Sequence, residues 1–385
     1  MQTGGVSLSL VFEAQRDDLV RLEQSTRLRS LTARSGIDFS SNDYLGLGSS
    51  DLLAHAANEA LERGVPVGSG GSRLLRGNHT EHEALEAEAA AFFGCEAALY
   101  FSTGYAANAA LLSTLPQRGD LVVFDELIHA SAHEGMKLGR ADVCAARHND
   151  VSSFEDQIKA WRSKGNRGRM WLAVESLYSM DGDQAPLDAL QGLANRHDAI
   201  LLIDEAHATG VFGPEGRGLA AHLEGQENII TLRTCGKALG AEGALICGPA
   251  VCRDFLINRG RGFIFSTAPS PLMATIVRAS LRIVQEMPAL RDQLWQRIHE
   301  AEKQLARLGV GVSGSQILPV IVGEDAAAMA QAQALQNMGF DVRGIRPPTV
   351  PTGTARLRIS ITNNIELDQI SALAEAIEKV QAAFA

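Results

Sequence analysis

Ala199-Ile-Leu-Leu-Ile-Asp204-Glu-Ala-His207-Ala-Thr-Gly210 decides the fold. An apolar run of strand length ends in an aspartate, and a histidine and a glycine follow. A continuous rather than alternating apolar run marks a strand buried on both faces, as in parallel sheets covered by helices. Polar groups just past the carboxyl end of such a strand face the crevice where open α/β sheets bind ligands. Downstream, Ile229-Ile-Thr-Leu232 reads as another strand and leads into Thr234-Cys-Gly-Lys237 and the glycine-rich Ala238-Leu-Gly-Ala-Glu-Gly243. Between Asp204 and Lys237 there is room for one crossover and one more strand. Lys237 sits in a tight turn among small residues. An ammonium is costly to bury there, and a lysine escapes that cost by losing its proton or by forming an imine. Small neighbours also let a flat group approach the backbone.

Working outward, Ala97–Ser102, Leu121–Asp125, Trp171–Ser176 and Gly243–Gly248 read as further strands separated by helical patterns. That alternation predicts βαβ crossovers and a mostly parallel central sheet. Thr103-Gly104-Tyr105 turns the first of these strands into a helix, and the free N–H groups of a helix start suit a phosphate. His129 falls just past the end of Leu121–Asp125, where its ring could stack on a flat ligand. Thr80-x-x-Glu83 reads as a capping box. Leu10–Leu31 carries a helical pattern, read as an amphipathic arm. Beyond Pro271 the pattern changes. Long helices run to about Leu308, followed by strands at Ile317–Val322, Asp341–Ile345 and Ala355–Ile361, with a helix over 326–338 and another at the end. The division predicted is an N-terminal arm over 1–45, a large α/β domain over 46–287 and a small α+β domain over 288–385.

The 385 residues carry 45 acidic and 35 basic side chains, a formal net charge of −10, with the acids dispersed. Nucleic acid is therefore not expected as a partner. The five cysteines form no CxxC pair and fit a reducing cytoplasm. No stretch reaches membrane-spanning length, and no basic-then-apolar signal pattern opens the chain. The expectation is a cytoplasmic enzyme with neither a membrane partner nor a metal.

As a set, Ser40-Ser-Asn42-Asp-Tyr-Leu-Gly46, Gly68-Ser-Gly-Gly-Ser72, His129-Ala-Ser131, Ser179-Met-Asp-Gly-Asp183, Asp204-Glu-Ala-His207, Thr234-Cys-Gly-Lys237 and Phe265-Ser-Thr267 resemble the α-oxoamine synthases. These are a branch of the fold-type-I pyridoxal 5′-phosphate enzymes, and the resemblance spans essentially the whole chain after the arm. It implies that Lys237 holds the cofactor as a Schiff base and later acts as general base. Asp204 would pair with the ring nitrogen, and His207 and Ser179 would contact the ring hydroxyl region. His129 would stack on the ring and is one candidate donor for the leaving thiolate. Gly104, Tyr105 and Thr234 would bind phosphate and ring. Thr267 would reach the phosphate of a second subunit, which implies a homodimer with active sites at the interface. Arg358 would clamp the amino-acid carboxylate, and Asn42, Thr349 and Arg21 fall at substrate-contacting positions, with Arg16 competing for the place of Arg21. Ile345-Arg-Pro-Pro-Thr349-Val-Pro-Thr-Gly-Thr-Ala-Arg356-Leu-Arg358 is most similar to the biotin-pathway member of the branch. That member condenses L-alanine with a pimeloyl thioester, releasing carbon dioxide and the carrier thiol. The carrier, coenzyme A or acyl carrier protein, stays open. Siblings that use glycine or serine with another acyl-CoA are the alternative.

Overall fold

The computed structural model describes residues 11–384. It begins with α1 (Glu13–Gln24), which has no buried residue. The helical pattern continues to Leu31, but the helix does not. Thr26 takes φ 55°, and Arg27 N–H turns back onto Leu22 O at 2.7 Å, a left-handed closure that ends the helix. β1 (Ile37–Asp38) and α2 (Asp51–Glu62) follow, then a short π-helical turn over Arg73–Gly77 and α3 (Thr80–Phe93). The cap of α3 lies one residue earlier than expected. His79 Nδ1 accepts Glu81 N–H at 3.1 Å, and His82 Nδ1 accepts His79 N–H at 3.2 Å. A neutral imidazole nitrogen can accept as a hydroxyl does, so two histidines make the box that Thr80 and Glu83 were expected to make.

The central part runs β2 (Ala97–Phe101), α4 (Gly104–Thr114), β3 (Leu121–Asp125), α5 (Ala130–Leu138), β4 (Asp142–Ala146), α6 (Val151–Ser163), β5 (Met170–Glu175), α7 (Leu187–Arg196), β6 (Ala199–Asp204), β7 (Ile229–Thr234) and β8 (Ala244–Gly248). The seven strands form one sheet in the order β2-β8-β7-β6-β5-β3-β4. All neighbours are parallel except those of β8, which runs antiparallel to both β2 and β7. The reason is the short Cys235–Gly243 connection after β7. A parallel strand needs a crossover of a dozen or more residues, and this loop is shorter. β4 was not expected from the sequence. It is a largely exposed edge strand, without the apolar run that marks the buried ones.

Alternate residues of the sheet fill two cores. Leu121, Val123, Leu172, Leu201 and Ile203 pack with Phe154, Ile158, Leu190 and Leu193 on one face. Val122, Ala173, Leu202, Ile230 and Leu232 pack with Leu111, Met136 and Leu256 on the other. Each fully buried large aliphatic side chain contributes about 1.5–3 kcal/mol, so the strand ends are held firmly. Asp125, Glu175, Asp204 and Thr234 terminate β3, β5, β6 and β7 and collect at one edge of the sheet.

The chain continues through α8 (Ala250–Arg259), α9 (Arg261–Ile264), α10 (Pro271–Glu286) and α11 (Ala289–Ala306), then β9 (Ile317–Gly323), α12 (Asp325–Asn337), β10 (Phe340–Asp341), β11 (Arg343–Ile345), β12 (Ala355–Ser360) and α13 (Leu367–Phe384). β11, β12 and β9 form an antiparallel sheet in that order. The strand expected over Asp341–Ile345 is divided, because Phe340–Asp341 pairs with β1 and Arg343–Ile345 with β12. α10 packs on α2 and α3, whereas α11 packs on α13. We propose the division 1–45, 46–287 and 288–385, the change of packing partner supporting the boundary after 287. The segment after β1 is stitched to the C-terminal part: Ser360 N–H donates to Phe39 O and Asn363 N–H to Tyr44 O, each at 2.9 Å. Among the described residues no helix is long and apolar enough to cross a membrane.

Candidate active site

The floor of the site is a pair of carboxylates. Asp204 and Glu175 are register partners at the ends of β6 and β5. Asp204 Oδ2 accepts from Asn108 Nδ2 at 2.6 Å, and Oδ1 from Ala206 N–H at 2.9 Å. Glu175 is 2 % exposed; Oε2 accepts Ser179 N–H at 3.3 Å, and Oε1 has no partner. Two buried carboxylates side by side do not both ionise readily. Asp204 takes two donors, while burial and then the Asp204 charge push the Glu175 pKa up to about 8. Asn108 Nδ2 also donates to Ser131 Oγ at 3.1 Å, and Ser131 Oγ lies 2.7 Å from His129 Nδ1. Asp204 and His129, from separate crossovers, are thus joined through two side chains with no role in the sequence reading. A buried asparagine inside the otherwise apolar Ala106–Leu112 stretch was the available signal. Desolvation lowers the His129 pKa, with Asp204 opposing it.

Lys237 is presented by a loop that closes on itself. Cys235 N–H donates to Gly243 O, Ala241 N–H to Cys235 O and Gly240 N–H to Lys237 O, all within 2.9 Å. Gly240 has φ 62°, and a Cβ there would stand 2.5 Å from Gly48 N. The lysine loop therefore lies directly on the end of the Asn42–Gly48 stretch, and only glycine allows that approach. Lys237 Nζ stands 2.6 Å from His207 Nε2, and His207 Nδ1 stands 2.7 Å from Tyr44 OH. Asn42 Oδ1 accepts from Tyr44 OH at 3.0 Å and from Arg358 Nη2 at 3.1 Å. Burial lowers the Lys237 pKa to about 8, against the pull of Asp204 and Glu175. At neutral pH roughly a tenth of the amine is then unprotonated, against fewer than roughly one in a thousand for an ordinary lysine. Burial, with the Lys237 charge second, pushes His207 well below the usual range, so its ring is neutral.

Arg356 and Arg358 are both buried on β12. Arg356 Nη1 lies 2.5 Å from Asp181 Oδ1, and Arg356 also donates to Thr354 O and Met180 O. Arg358 donates to Ser179 O at 2.6 Å, to Ser360 Oγ at 2.6 Å and to Asn42 Oδ1. All of its acceptors are uncharged, so its charge is not neutralised by a bonded carboxylate.

At the other end, Thr103 Oγ1 accepts Ala106 N–H at 3.0 Å and opens α4, leaving the first-turn amides of Gly104 and Tyr105 without helical acceptors. A Cβ on Gly104 would sit 3.5 Å from Thr234 Oγ1, which places these two residues together. Tyr105 is half exposed. Thr267 is exposed between α9 and α10, and with Tyr100 and Ser102 it lines a small cavity. Thr349 Oγ1 accepts from Arg29 Nη2 at 3.4 Å. Arg21 lies on the exposed α1, paired with Asp18 at 3.1 Å, and Arg16 shares that helix. The structure therefore joins Lys237, His207, Asn42 and Arg358 in one hydrogen-bonded chain and His129 with Asp204 in another. It leaves Arg21 outside both.

The aminotransferase class I and II family model matches residues 34–377. A solved serine palmitoyltransferase from S. paucimobilis with a bound PLP–myriocin aldimine superposes with TM-score 0.87 at 27% identity, covering 98% of this chain and 99% of that one. The chain thus belongs to the aminotransferase class I and II family and is a pyridoxal 5′-phosphate enzyme of fold type I. The residues present fit that cofactor: a lysine with a lowered pKa, a buried carboxylate held by an asparagine, and amides without helical acceptors at a helix start. Closer relatives narrow the class. An 8-amino-7-oxononanoate synthase of Chromobacterium violaceum is 42% identical over 366 residues, covering 93% of this chain and 94% of that protein. One of Hydrogenovibrio crunogenus is 38% identical over 371 residues, covering 95% and 92%. The crystal structure of the Francisella tularensis 8-amino-7-oxononanoate synthase superposes with TM-score 0.76 at 28% identity, covering 91% and 99%. The chain belongs to the 8-amino-7-oxononanoate synthases, acyltransferases of biotin biosynthesis.

Proposed function

We propose that the chain condenses L-alanine with a pimeloyl thioester, carried on coenzyme A or acyl carrier protein, to give 8-amino-7-oxononanoate, carbon dioxide and free thiol. The observation that carries this reading is Arg358, a buried guanidinium bonded only to uncharged acceptors and tied to the Lys237 pocket through Asn42. A guanidinium so placed fits the carboxylate of an α-amino acid through two parallel hydrogen bonds. When bound, pyridoxal 5′-phosphate supplies an electron sink for charge developing at the amino-acid Cα.

The rest falls to the chain. Lys237 would hold the cofactor covalently, and its amine would take the Cα proton of the amino acid. Its lowered pKa suits that task, because a general base works best when its pKa lies near the working pH. Asp204, which accepts from Asn108 and the Ala206 amide, would pair with the ring nitrogen and keep it protonated. His129 would stack on the ring face and would donate to the departing thiolate. His207 and Ser179 would serve the ring hydroxyl side, and Gly104, Tyr105 and Thr234 would serve phosphate and ring. Arg358 would hold the amino-acid carboxylate, and Asn42, Thr349 and Arg21 are assigned to substrate contact, with Arg16 competing for the place of Arg21. Thr267 would reach the phosphate in a second copy of the chain, making a homodimer with sites at its interface. The exposed Leu75 and Phe265, at 84% and 71%, support a covering partner near Thr267. The enzyme is assigned to the cytoplasm.

The similarity to serine palmitoyltransferase favours a second reading, a sibling that takes serine or glycine with another acyl-CoA. The test is holoenzyme with pimeloyl-CoA and each of L-alanine, glycine and L-serine, following release of free thiol. Release that depends on L-alanine is expected. Faster release with glycine or serine overturns the assignment of the amino acid.

A further inference from the structure

His148 lies in the turn between β4 and α6, outside every motif tied to the cofactor. Its Nδ1 is 2.9 Å from Asp125 Oδ1 and its Nε2 is 2.8 Å from Asp183 Oδ2. A neutral imidazole has a single N–H, so one nitrogen would present a lone pair to a carboxylate. Only the imidazolium donates to both. Asn149, next along the chain, has φ 53°, a left-handed conformation that asparagine tolerates better than most residues. There its N–H donates to Asp125 Oδ2 at 2.8 Å and its side chain to Asp183 Oδ2 at 2.7 Å. The Tyr178 ring meets His148 edge to face at 4.4 Å. Asp125 is fixed at the end of β3, so this cluster is a post that holds Asp183.

Asp183 closes a tight hairpin. Leu177 pairs with Gln184, Tyr178 N–H donates to Asp183 O and Gly182 N–H to Tyr178 O, the last two each at 2.9 Å. Gly182 has φ 71°, and a Cβ there would lie 2.3 Å from Ile317 O on β9, so the hairpin has no slack on that side. Its tip carries the contacts to both arginines: Ser179 O accepts from Arg358, and Asp181 and Met180 O accept from Arg356. Ser179-Met-Asp-Gly-Asp183 is thus held by His148 at one end and holds the arginines at the other.

We propose that His148 is a positioning residue for the amino-acid carboxylate site, fixing through Asp183 the hairpin that aims Arg358. This rests on the reading of Arg358 as the carboxylate anchor. His148 touches neither substrate nor cofactor, and Lys237, Asp204 and the amides at the start of α4 lie outside this hairpin, so its loss acts mainly on amino-acid binding and the cofactor is retained.

The test uses holoenzyme and L-alanine, titrated through the absorbance of the bound cofactor, with turnover measured at saturating substrates. His148→Asn and Asp183→Asn are each expected to keep the cofactor and the resting spectrum. Each raises the alanine KM about tenfold and leaves saturating turnover within about threefold, a split that general destabilisation does not produce. In combination with Arg358→Lys, His148→Asn adds less than about twofold, because both act at one contact. An alanine KM within twofold of the parent overturns the proposal, and so does a loss that multiplies with that of Arg358→Lys. If Arg358→Lys itself leaves alanine affinity unchanged, the carboxylate reading falls and this proposal falls with it. A large loss in Arg358→Lys with none in His148→Asn removes only the positioning role. Should His148→Asn fail to fold, Asp183→Asn decides by the same criteria, since it leaves the His148–Asp125 bond in place.

Discussion

Lys237 Nζ and His207 Nε2 stand 2.6 Å apart, and the bond between them has one workable direction. Arg358 can only donate, so Asn42 Oδ1 is an acceptor and accepts a hydrogen bond from the Tyr44 hydroxyl as well. The Tyr44 oxygen is then free to accept from His207 Nδ1–H, which leaves Nε2 as the acceptor for Lys237. The amine therefore meets a neutral ring and never a second cation. With burial lowering the Lys237 pKa to about 8, the free amine is reached two to three pH units earlier than in an ordinary lysine. In apoenzyme, the rate of covalent capture of pyridoxal 5′-phosphate should rise with pH and level off above about 8. Stopped-flow absorbance across a pH series checks this. Borohydride treatment after capture should leave the label on Lys237 by peptide mapping. A midpoint near 10.5, or a label on another lysine, removes the assignment.

Asp204→Asn should still bind the cofactor, because Lys237 and the amides at the start of α4 are untouched. It should lose at least about tenfold in turnover, more than about 1.4 kcal/mol in barrier, since a neutral amide does not hold a proton on the ring nitrogen. A loss of only a few fold, measured with full cofactor occupancy, counts against the role. Asn108→Ala supplies a graded comparison. It frees Asp204 Oδ2 from its 2.6 Å donor and should weaken turnover less than Asp204→Asn does.

The parallel core and the two central motifs were legible because both follow from local pattern. An unbroken apolar run such as Ala199–Ile203 has few homes other than a buried strand, and the lysine loop is marked by its glycines. Three kinds of feature were not legible. β4 is an edge strand whose pairing is set by β3, not by its own composition. The α3 cap depends on imidazole nitrogens acting as acceptors, which residue type alone does not reveal. The connections between distant segments, such as Tyr44 to His207 or Asn108 to Asp204, arise only when crossovers bring strand ends and helix starts together. The two β12 arginines show the same limit. Positions two apart share a strand face, so the sequence could not separate Arg356 from Arg358, whereas the contact to Asp181 does.

That separation gives a direct comparison of substitutions. Arg358→Lys replaces a planar fork by a point charge. It should raise the dissociation constant for L-alanine well above tenfold while leaving cofactor content unchanged. Arg356→Lys can keep a charge beside Asp181 and should change alanine affinity less than about threefold. Titrating L-alanine against the visible spectrum of each holoenzyme reads both numbers. The reverse pattern, with the large loss in Arg356→Lys, moves the carboxylate site to Arg356.

The His148 cluster carries a pH signature of its own. Burial alone would lower the His148 pKa, but Asp125 and Asp183 outweigh it and raise it to about 10. In the unfolded chain a histidine titrates near 6.5. A group whose folded pKa lies above its unfolded one binds protons more tightly when folded. Its stabilisation is complete below about pH 6.5, declines as pH rises and is gone by about 10. The facing groups do not reverse that trend. Asp125 is held below the usual carboxylate range and stays ionised throughout, and burial pushes the Tyr178 hydroxyl upward, out of the window. Glu126, which accepts His148 N–H at 2.9 Å, bonds the backbone rather than the ring. Asparagine in place of His148 does not titrate. The difference in Tm between parent and His148→Asn should therefore be widest near pH 6 and close progressively toward pH 10, with cofactor content matched at every point. Calorimetry over that range measures it. A gap that stays constant, or widens toward pH 10, means that the ring is not an imidazolium and donates to only one of the two carboxylates.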